Sequence, residues 1–294
     1  MTLNQIADII RKEYLNPLEN FEINSVEGLD KLRKKLIEIR GELYFKGIDV
    51  MPHYRGEQYF GWDIQPGILR PPFYNDIELK EIKAIEKNGA EIFEKTVYSD
   101  YGEGMLFKPK GNKLNIAKWD LLFQAQHAGV KTSLVDFSTN IFISSFFMSE
   151  PSMTYDNENG QLWCLLVPSD FIYNESSDYN KNIYPALDPY NLDRSFICNV
   201  PTFIDDIDER TYQFRLFKQH GRFFASSDSD LDIPINKKEF WKNMMFRIKI
   251  SPNAKEIIFK GLIDMKITRQ DLMLEESEEA DQMISKINSE MKKL

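Results

Sequence analysis

Two short stretches concentrate the side chains of this chain that could do chemistry. Tyr54-Arg55-Gly56 sets a guanidinium beside a glycine. Guanidinium forks match the paired oxygens of phosphate or pyrophosphate, and a neighbouring glycine lets a ligand come close to the backbone. The same guanidinium also suits a structural ion pair with one of the chain's many carboxylates. Residues 126–140 are denser still, with Gln126, His127, Gly129, Thr132, Ser133, Asp136, Ser138, Thr139 and Asn140. An imidazole and a carboxylate nine residues apart are groups that move protons. Ser138 and Thr139 invite a hydrolase reading, with His127 as base and Asp136 as its orienter. The glycines of a nucleophile elbow are missing around Ser138, however, and hydroxyls there equally well satisfy nearby backbone groups.

A third stretch, residues 215–224, echoes the second: Gln219-His220-Gly221 parallels Gln126-His127-Ala128-Gly129. The three histidines, His53, His127 and His220, lack the ligand spacing and paired carboxylates of a metal site, so no metal is expected. No Gly-rich loop followed by lysine is present, which excludes a P-loop mechanism.

Such groups act only when rigid elements hold them. Upstream of the dense stretch, residues 116–123 have the spacing of an amphipathic helix, and downstream residues 141–148 are apolar nearly throughout and must be buried. Residues 6–18 and 26–45 read as helices, the second with Asn24-Ser25 as N-cap and Leu29, Leu32, Leu36, Ile39 and Leu43 on one face. Residues 51–56 read as a strand ending on a glycine turn. Pro66, Pro71 and Pro72 then mark an irregular connection, residues 76–96 return to helical spacing, and Gly102, Gly104 and Gly111 mark a loop. Residues 161–167 read as a buried strand, and 170–200, rich in Tyr, Asn and Asp, as an insertion or long loop. Residues 246–250 alternate as a half-buried strand, and 254–265 and 277–291 are helical. There is no internal repeat and no low-complexity linker. The fold class expected is α+β, a single domain with a central mixed or split β-sheet flanked by helices. Residues 1–24 form an N-terminal helical extension, 25–285 the body and 286–294 the end of the last helix.

At 294 residues, 42% hydrophobic and 13% aromatic, the chain can bury a full core. No stretch reaches the roughly 18 apolar residues of a membrane span, and the start lacks a signal-peptide layout, so a cytoplasmic protein away from membranes is expected. Cys164 and Cys198 read as core thiols. A formal charge of −9 gives no overall attraction to nucleic acid or anionic lipid. Much of it sits at 205–209 and 275–279, read as solvated faces.

Taken together, the motifs resemble the bacterial FRG domain, named for its Phe/Tyr-Arg-Gly motif. Tyr54-Arg55-Gly56 and residues 126–140 carry the likeness, and residues 215–223 resemble the family's later Arg and Gln-Gly-Phe motif. Residues 257–283, with Leu262, Ile267 and Leu272, are similar to its closing helices, so the likeness extends over residues 25–285. One departure stands out: the family commonly has an arginine after the threonine, where this chain has Ser133 after Thr132.

The family's motifs in turn look like a remote version of the ADP-ribosyltransferase fold, which implies NAD as the substrate. In that likeness Tyr54, Arg55 and Gly56 grip the pyrophosphate and Ser138 and Thr139 line the nicotinamide pocket. Gln126, Gly129, Thr132, Arg215 and Gly221 complete the nucleotide site. Gln219 falls where the fold has a late glutamate. A neutral amide stabilises the positive charge developing on the ribose much less than a carboxylate does. Arg55, His127, Asp136 and Gln219 are then the catalytic set, with Asp136 as the substitute acid.

The function implied is an NAD-dependent ADP-ribosyltransferase or NAD-consuming effector, a bacterial toxin or antiphage defence component. Its partners would be a nucleotide, a protein or nucleic-acid acceptor, and an antitoxin or defence-system partner. The alternative is a non-catalytic module that uses the same pocket to sense a nucleotide or bind a partner. A metal-independent RNA hydrolase is a third reading, and the acidic balance counts against it.

Overall fold

The computed structural model describes residues 2–101, 114–173, 187–199, 215, 217–272 and 278–293. The glycine loop at 102–111 and the acidic runs at 205–209 and 275–277 lie outside these residues. The elements in chain order are α1 (Leu3–Ile10), α2 (Val26–Phe45), β1 (Val50–Glu57), α3 (Ile82–Tyr101), α4 (Leu114–Ala128), β2 (Leu134–Ser138), α5 (Ile141–Ser149), β3 (Gly160–Pro168), β4 (Ile172–Tyr173), β5 (Phe196–Asn199), β6 (Gly221–Ala225), β7 (Met245–Ile250), α6 (Pro252–Asp264) and α7 (Glu278–Glu290). The class is α+β, as expected, with seven strands and seven α-helices among the described residues.

Contacts group the chain into two compact units. The first takes Met1–Ile64, Phe137–Ile172 and Ile233–Leu272, and the second takes Gln65–Asp136, Tyr173–Asp232 and Met273–Leu294. Each unit is assembled from three separated stretches, so no linker marks the division in the sequence.

In the first unit the strands follow the order β2-β1-β3-β7. All three pairings are antiparallel, with Tyr54 opposite Ser138 and Cys164, and Trp163 opposite Arg247. The central strand β3 is buried at every residue from Gly160 to Pro168. On β7 the expected alternation holds, with Arg247 and Lys249 exposed between buried Phe246, Ile248 and Ile250. Helix α2 begins where Ser25 Oγ accepts from Gly28 N, and it buries the five residues its spacing marks.

Helix α5 explains the apolar run after the dense polar stretch. Asn140 caps it by accepting the Phe142 amide at 2.9 Å, and its buried side includes Ile141, Ile143, Phe146 and Met148. This helix packs on β1 and β3, with α6 beyond it. Under the first turn of α6, Lys255 is buried and donates to the carbonyls of Gln58, Tyr155 and Glu158 at 2.7–3.3 Å. A cation with three carbonyl acceptors ties the 58–64 loop and the 150–159 loop to the helix.

In the second unit the order is β4-β5-β6-β2. Strand β5 lies inside the stretch expected to be a loop, and pairs antiparallel with β6, Ile197 opposite Phe224. Phe196-Ile197-Cys198 is a short apolar run, easily hidden by the Tyr- and Asp-rich residues before it; all three residues are buried. Phe196 and Cys198 join Trp119, Phe123, Leu134 and Phe223 in one core, where Phe123 and Phe223 stack at 4.9 Å. A second core gathers Ile82, Phe93, Ala125 and Val130 with Ile287 and Met291 of the C-terminal stretch. Helix α3 starts at Ile82, later than expected, because residues 73–81 spend their turns in short 3₁₀ segments.

Gly56 is the clearest constraint on this packing. It does not end its strand: β1 runs on to Glu57, and a Cβ at Gly56 would lie 1.8 Å from the Ser144 carbonyl oxygen of α5. Backbone cannot retreat as a flexible side chain can. Gly56→Ala is therefore expected to cost about 3 kcal/mol or more in urea unfolding, at the top of the overpacking range. A loss within about 0.5 kcal/mol, the usual effect of a surface substitution, would show that α5 is not seated this closely.

Candidate functional site

The expected site residues divide between the units. Tyr54, Arg55, Gly56, Ser138 and Thr139 belong to the first, and Gln126, His127, Gly129, Thr132, Asp136, Arg215, Gln219 and Gly221 to the second.

On β1 successive side chains alternate between faces. Tyr54 and Gly56 share the face that α5 covers. Tyr54 is 2% exposed, and burial raises its phenol well above the ordinary range, so it is a core residue with a hydroxyl. The room beside Gly56 is occupied by α5 and not by a ligand. Arg55 and Glu57 lie on the opposite face. Arg55 Nε donates to Glu57 Oε1 at 3.0 Å, with the two side chains 15% and 3% exposed. The other carboxylate oxygen of Glu57 accepts from Gln161 Nε2 at 2.7 Å, and that amide nitrogen also donates to the Trp62 carbonyl at 2.8 Å. Register extends this row across the sheet: Arg55 opposite Trp163 opposite Arg247, and Glu57 opposite Gln161 opposite Lys249. The Arg247 guanidinium stands over the rings of Phe60 at 4.2 Å and Trp163 at 5.5 Å. The ion-pair alternative for Arg55 thus has a partner, Glu57, which the sequence reading did not single out. Its position at i+2 on a strand was the available signal.

Ser138 closes β2, and its Oγ accepts from the Asn140 amide at 3.0 Å. It helps turn the chain from strand into helix, the local backbone role weighed against a nucleophile. Thr139 lies between strand and helix and is partly exposed.

In the second unit the dense stretch is knitted to itself. Thr132 Oγ1 donates to Gln126 Oε1, and Gln126 Nε2 donates to Asp136 Oδ2 at 2.9 Å. Thr132 Oγ1 also accepts from the Leu134 amide at 3.2 Å. One amide side chain therefore links the end of α4 to β2, with both of its ends in use. Asp136 is exposed between buried Val135 and Phe137. Gly129 has φ of +104°, and its amide reaches the Gln126 carbonyl while Val130 reaches that of Ala125, both at 3.0 Å. That pair of bonds is a Schellman cap, and only glycine takes its left-handed position without strain. Backbone geometry is reason enough for Gly129.

His127 is partly exposed as a residue, but its Nε2 is buried with no hydrogen-bond partner among the described residues. Burial, with the nearby Arg215 charge, holds its proton affinity well below the usual histidine range. Gln219 is buried, and its backbone N–H donates to the Arg215 carbonyl at 3.0 Å. The left-handed residue of Gln219-His220-Gly221 is His220, at φ 48°, while Gly221 is already the first residue of β6.

A buried charge cluster stands behind this stretch. Glu86, fully buried on α3, accepts from both the amide and the hydroxyl of Ser133, the latter at 2.7 Å. Lys83 Nζ lies 3.3 Å from Glu86 and 2.9 Å from Ser133 Oγ, and also donates to the Pro189 carbonyl at 3.1 Å. Ser133 thus places a hydroxyl on the buried carboxylate, and Lys83 brings a cation to it. Sequence reasoning missed Glu86 and Lys83 because nothing in helical spacing distinguishes a buried carboxylate from a solvated one. Among the described residues no group of three or more His, Cys, Asp or Glu is placed to hold a metal ion, and no helix is long and apolar enough to cross a membrane.

His127 gives a pH signature. It is neutral in the folded chain and gains a proton near pH 6.5 once unfolded, so its contribution to stability is full above about pH 6.5 and is lost as pH falls below. His220, also lowered by burial and by Arg222, contributes with the same sign. The unfolding midpoint should fall between pH 7.5 and pH 5.5, and His127→Leu should flatten that slope. An unchanged slope in the variant would contradict the buried neutral imidazole.

Residues 52–157 match the family model of the FRG domain. That span takes in β1, α3, α4, β2 and α5; the 215–223 motif falls beyond it. No curated protein and no solved structure matches the chain. The Tyr54-Arg55-Gly56 strand and the polar stretch at 126–140 lie in one span, residues 52–157, that matches the FRG domain model.

Proposed function

We propose that this chain is a non-catalytic module that senses or binds a nucleotide. The observation carrying this reading is the buried Arg55–Glu57 pair, 3.0 Å between Nε and Oε1. A guanidinium already held by a carboxylate must give up or rearrange that pair to grip a pyrophosphate, at the cost of taking this cation away from the buried Glu57 carboxylate. The other motif groups support the same view. Gln126 uses both ends of its amide on Thr132 and Asp136. An imidazole with strongly lowered proton affinity, as in His127, is a weak general base.

A second reading, NAD-dependent ADP-ribosyl transfer or NAD consumption, is favoured by one specific residue. Glu57 is a carboxylate two positions from Arg55, the type of group that stabilises positive charge on a ribose and that Gln219 does not supply. It would have to leave Arg55 and Gln161 to act. In this reading the acceptor is a protein or nucleic acid, and an antitoxin or defence-system partner restrains a toxin.

One experiment separates the two. The purified chain is incubated with NAD, with and without bacterial extract as acceptor, while nicotinamide is followed by chromatography and the unfolding midpoint by calorimetry. The binding module predicts a dose-dependent rise in midpoint, from a stabilisation of about 2.7 kcal/mol at a hundredfold excess over Kd, with no nicotinamide released. Nicotinamide release that Glu57→Gln abolishes would overturn it in favour of the enzyme.

A further inference from the structure

One side chain of the dense stretch takes no part in its internal bonds. Lys131 follows the cap at Gly129 and helps line a cavity of about 610 Å³ in the second unit. Pro71, Pro72 and Phe73 give the same space an apolar wall. No Asp or Glu is among the described residues that line it. The volume lies within the roughly 300–1,000 Å³ of small-molecule sites.

The backbone holds Lys131 in place. Its amide donates to Asn288 Oδ1 at 2.8 Å, and Asn288 Nδ2 donates to the Gly129 carbonyl at 3.2 Å. The Ile68 amide donates to the Thr132 carbonyl at 3.2 Å, which brings Gly67 alongside. The Lys131 stem runs past that glycine, with Cδ 3.5 Å from where a Cβ on Gly67 would stand. The nitrogen at its end makes no hydrogen bond or ion pair among the described residues. The other two lining cations are engaged. Arg70 Nε donates to the Gln65 carbonyl at 2.9 Å, and the residue has a further interaction. Lys292 Nζ donates to the Phe73 carbonyl and stands 4.2 Å over the Phe73 ring.

A lysine is a nucleophile only as the neutral amine, which burial away from carboxylates favours. Burial, and after it the Arg70 charge, holds the Lys131 proton affinity below the ordinary lysine range. An unengaged amine therefore stands in a cavity of small-molecule size beside an apolar wall.

We propose that Lys131 captures a small apolar aldehyde in this cavity as an imine, with Pro71, Pro72 and Phe73 against the body of the aldehyde. The amine nitrogen adds to the carbonyl carbon, and one of its protons passes to the oxygen. The carbon–oxygen bond then breaks, and the hydroxyl leaves as water with the remaining nitrogen proton, which gives the carbon–nitrogen double bond. No oxidant or reductant is needed. An anionic ligand fits less well, because two of the three cations already have partners. The capture goes beyond the nucleotide reading and uses none of the residues that carry it.

Reductive trapping tests it. The full chain is incubated with benzaldehyde and sodium cyanoborohydride, and the benzylated lysines are mapped by mass spectrometry. At pH 7.5 Lys131 should be labelled faster than Lys95, an exposed lysine on α3, by roughly fivefold or more. That ratio should shrink as pH is raised toward 10, because the neutral fraction of Lys95 catches up. Labelling of Lys131 should also saturate with benzaldehyde concentration, as a cavity requires, while that of Lys95 stays linear. Lys131→Gln, at an exposed position, should remove the fast site and leave the unfolding midpoint unchanged. Equal labelling of Lys131 and Lys95 at pH 7.5 would overturn the reactive amine. Fast labelling of Lys131 without saturation would overturn the cavity as the binding site.

Discussion

Arg55 and Glu57 face each other two residues apart on one strand, and their pairing decides what the Tyr-Arg-Gly segment is able to do. A carboxylate exposed by only 3% needs specific donors, because the loss of its hydration must be offset. Arg55 and Gln161 supply them. The pair in turn fixes β1 against β3, since Gln161 is the register partner of Glu57 and also donates to the loop at Trp62. Charge, register and loop position are thus satisfied by one set of bonds. A motif that reads as ligand-facing is here a clasp inside the sheet.

The same pattern recurs elsewhere in the motif residues. Gly56 makes room for a helix and Gly129 closes one. Gln126 spans the turn between α4 and β2, and Ser138 with Asn140 converts strand into helix. These residues form a scaffold of caps and clasps around tight turns. Such turns are costly to leave with unsatisfied polar groups, which explains why short polar side chains and glycines are packed so densely there. The buried Glu86–Ser133 contact adds a charge-assisted anchor from α3 to the start of β2.

Much of this architecture was legible in the residues. The spacing of Leu29, Leu32, Leu36, Ile39 and Leu43 marked a helix face, and all five are buried. The alternation at 246–250 marked β7, and the apolar run at 141–148 was rightly placed inside, although sequence could not say that it is a helix. What stayed hidden was long-range and electrostatic. Glu57, Glu86, Lys83 and Lys255 look like four ordinary surface charges among many until the fold supplies their partners. β5 was masked by its polar neighbours, and the division into two units by a chain that returns to each of them.

A double-mutant cycle on Arg55 and Glu57 reads the clasp directly, using Arg55→Ala, Glu57→Leu and the double variant in urea unfolding at pH 7. A buried structural pair predicts that Arg55→Ala alone costs roughly 3–5 kcal/mol, because it strands the carboxylate, and that adding Glu57→Leu restores a large part of the loss. Additive effects near zero would contradict it, and would return Arg55 to the role of a guanidinium held ready for a ligand.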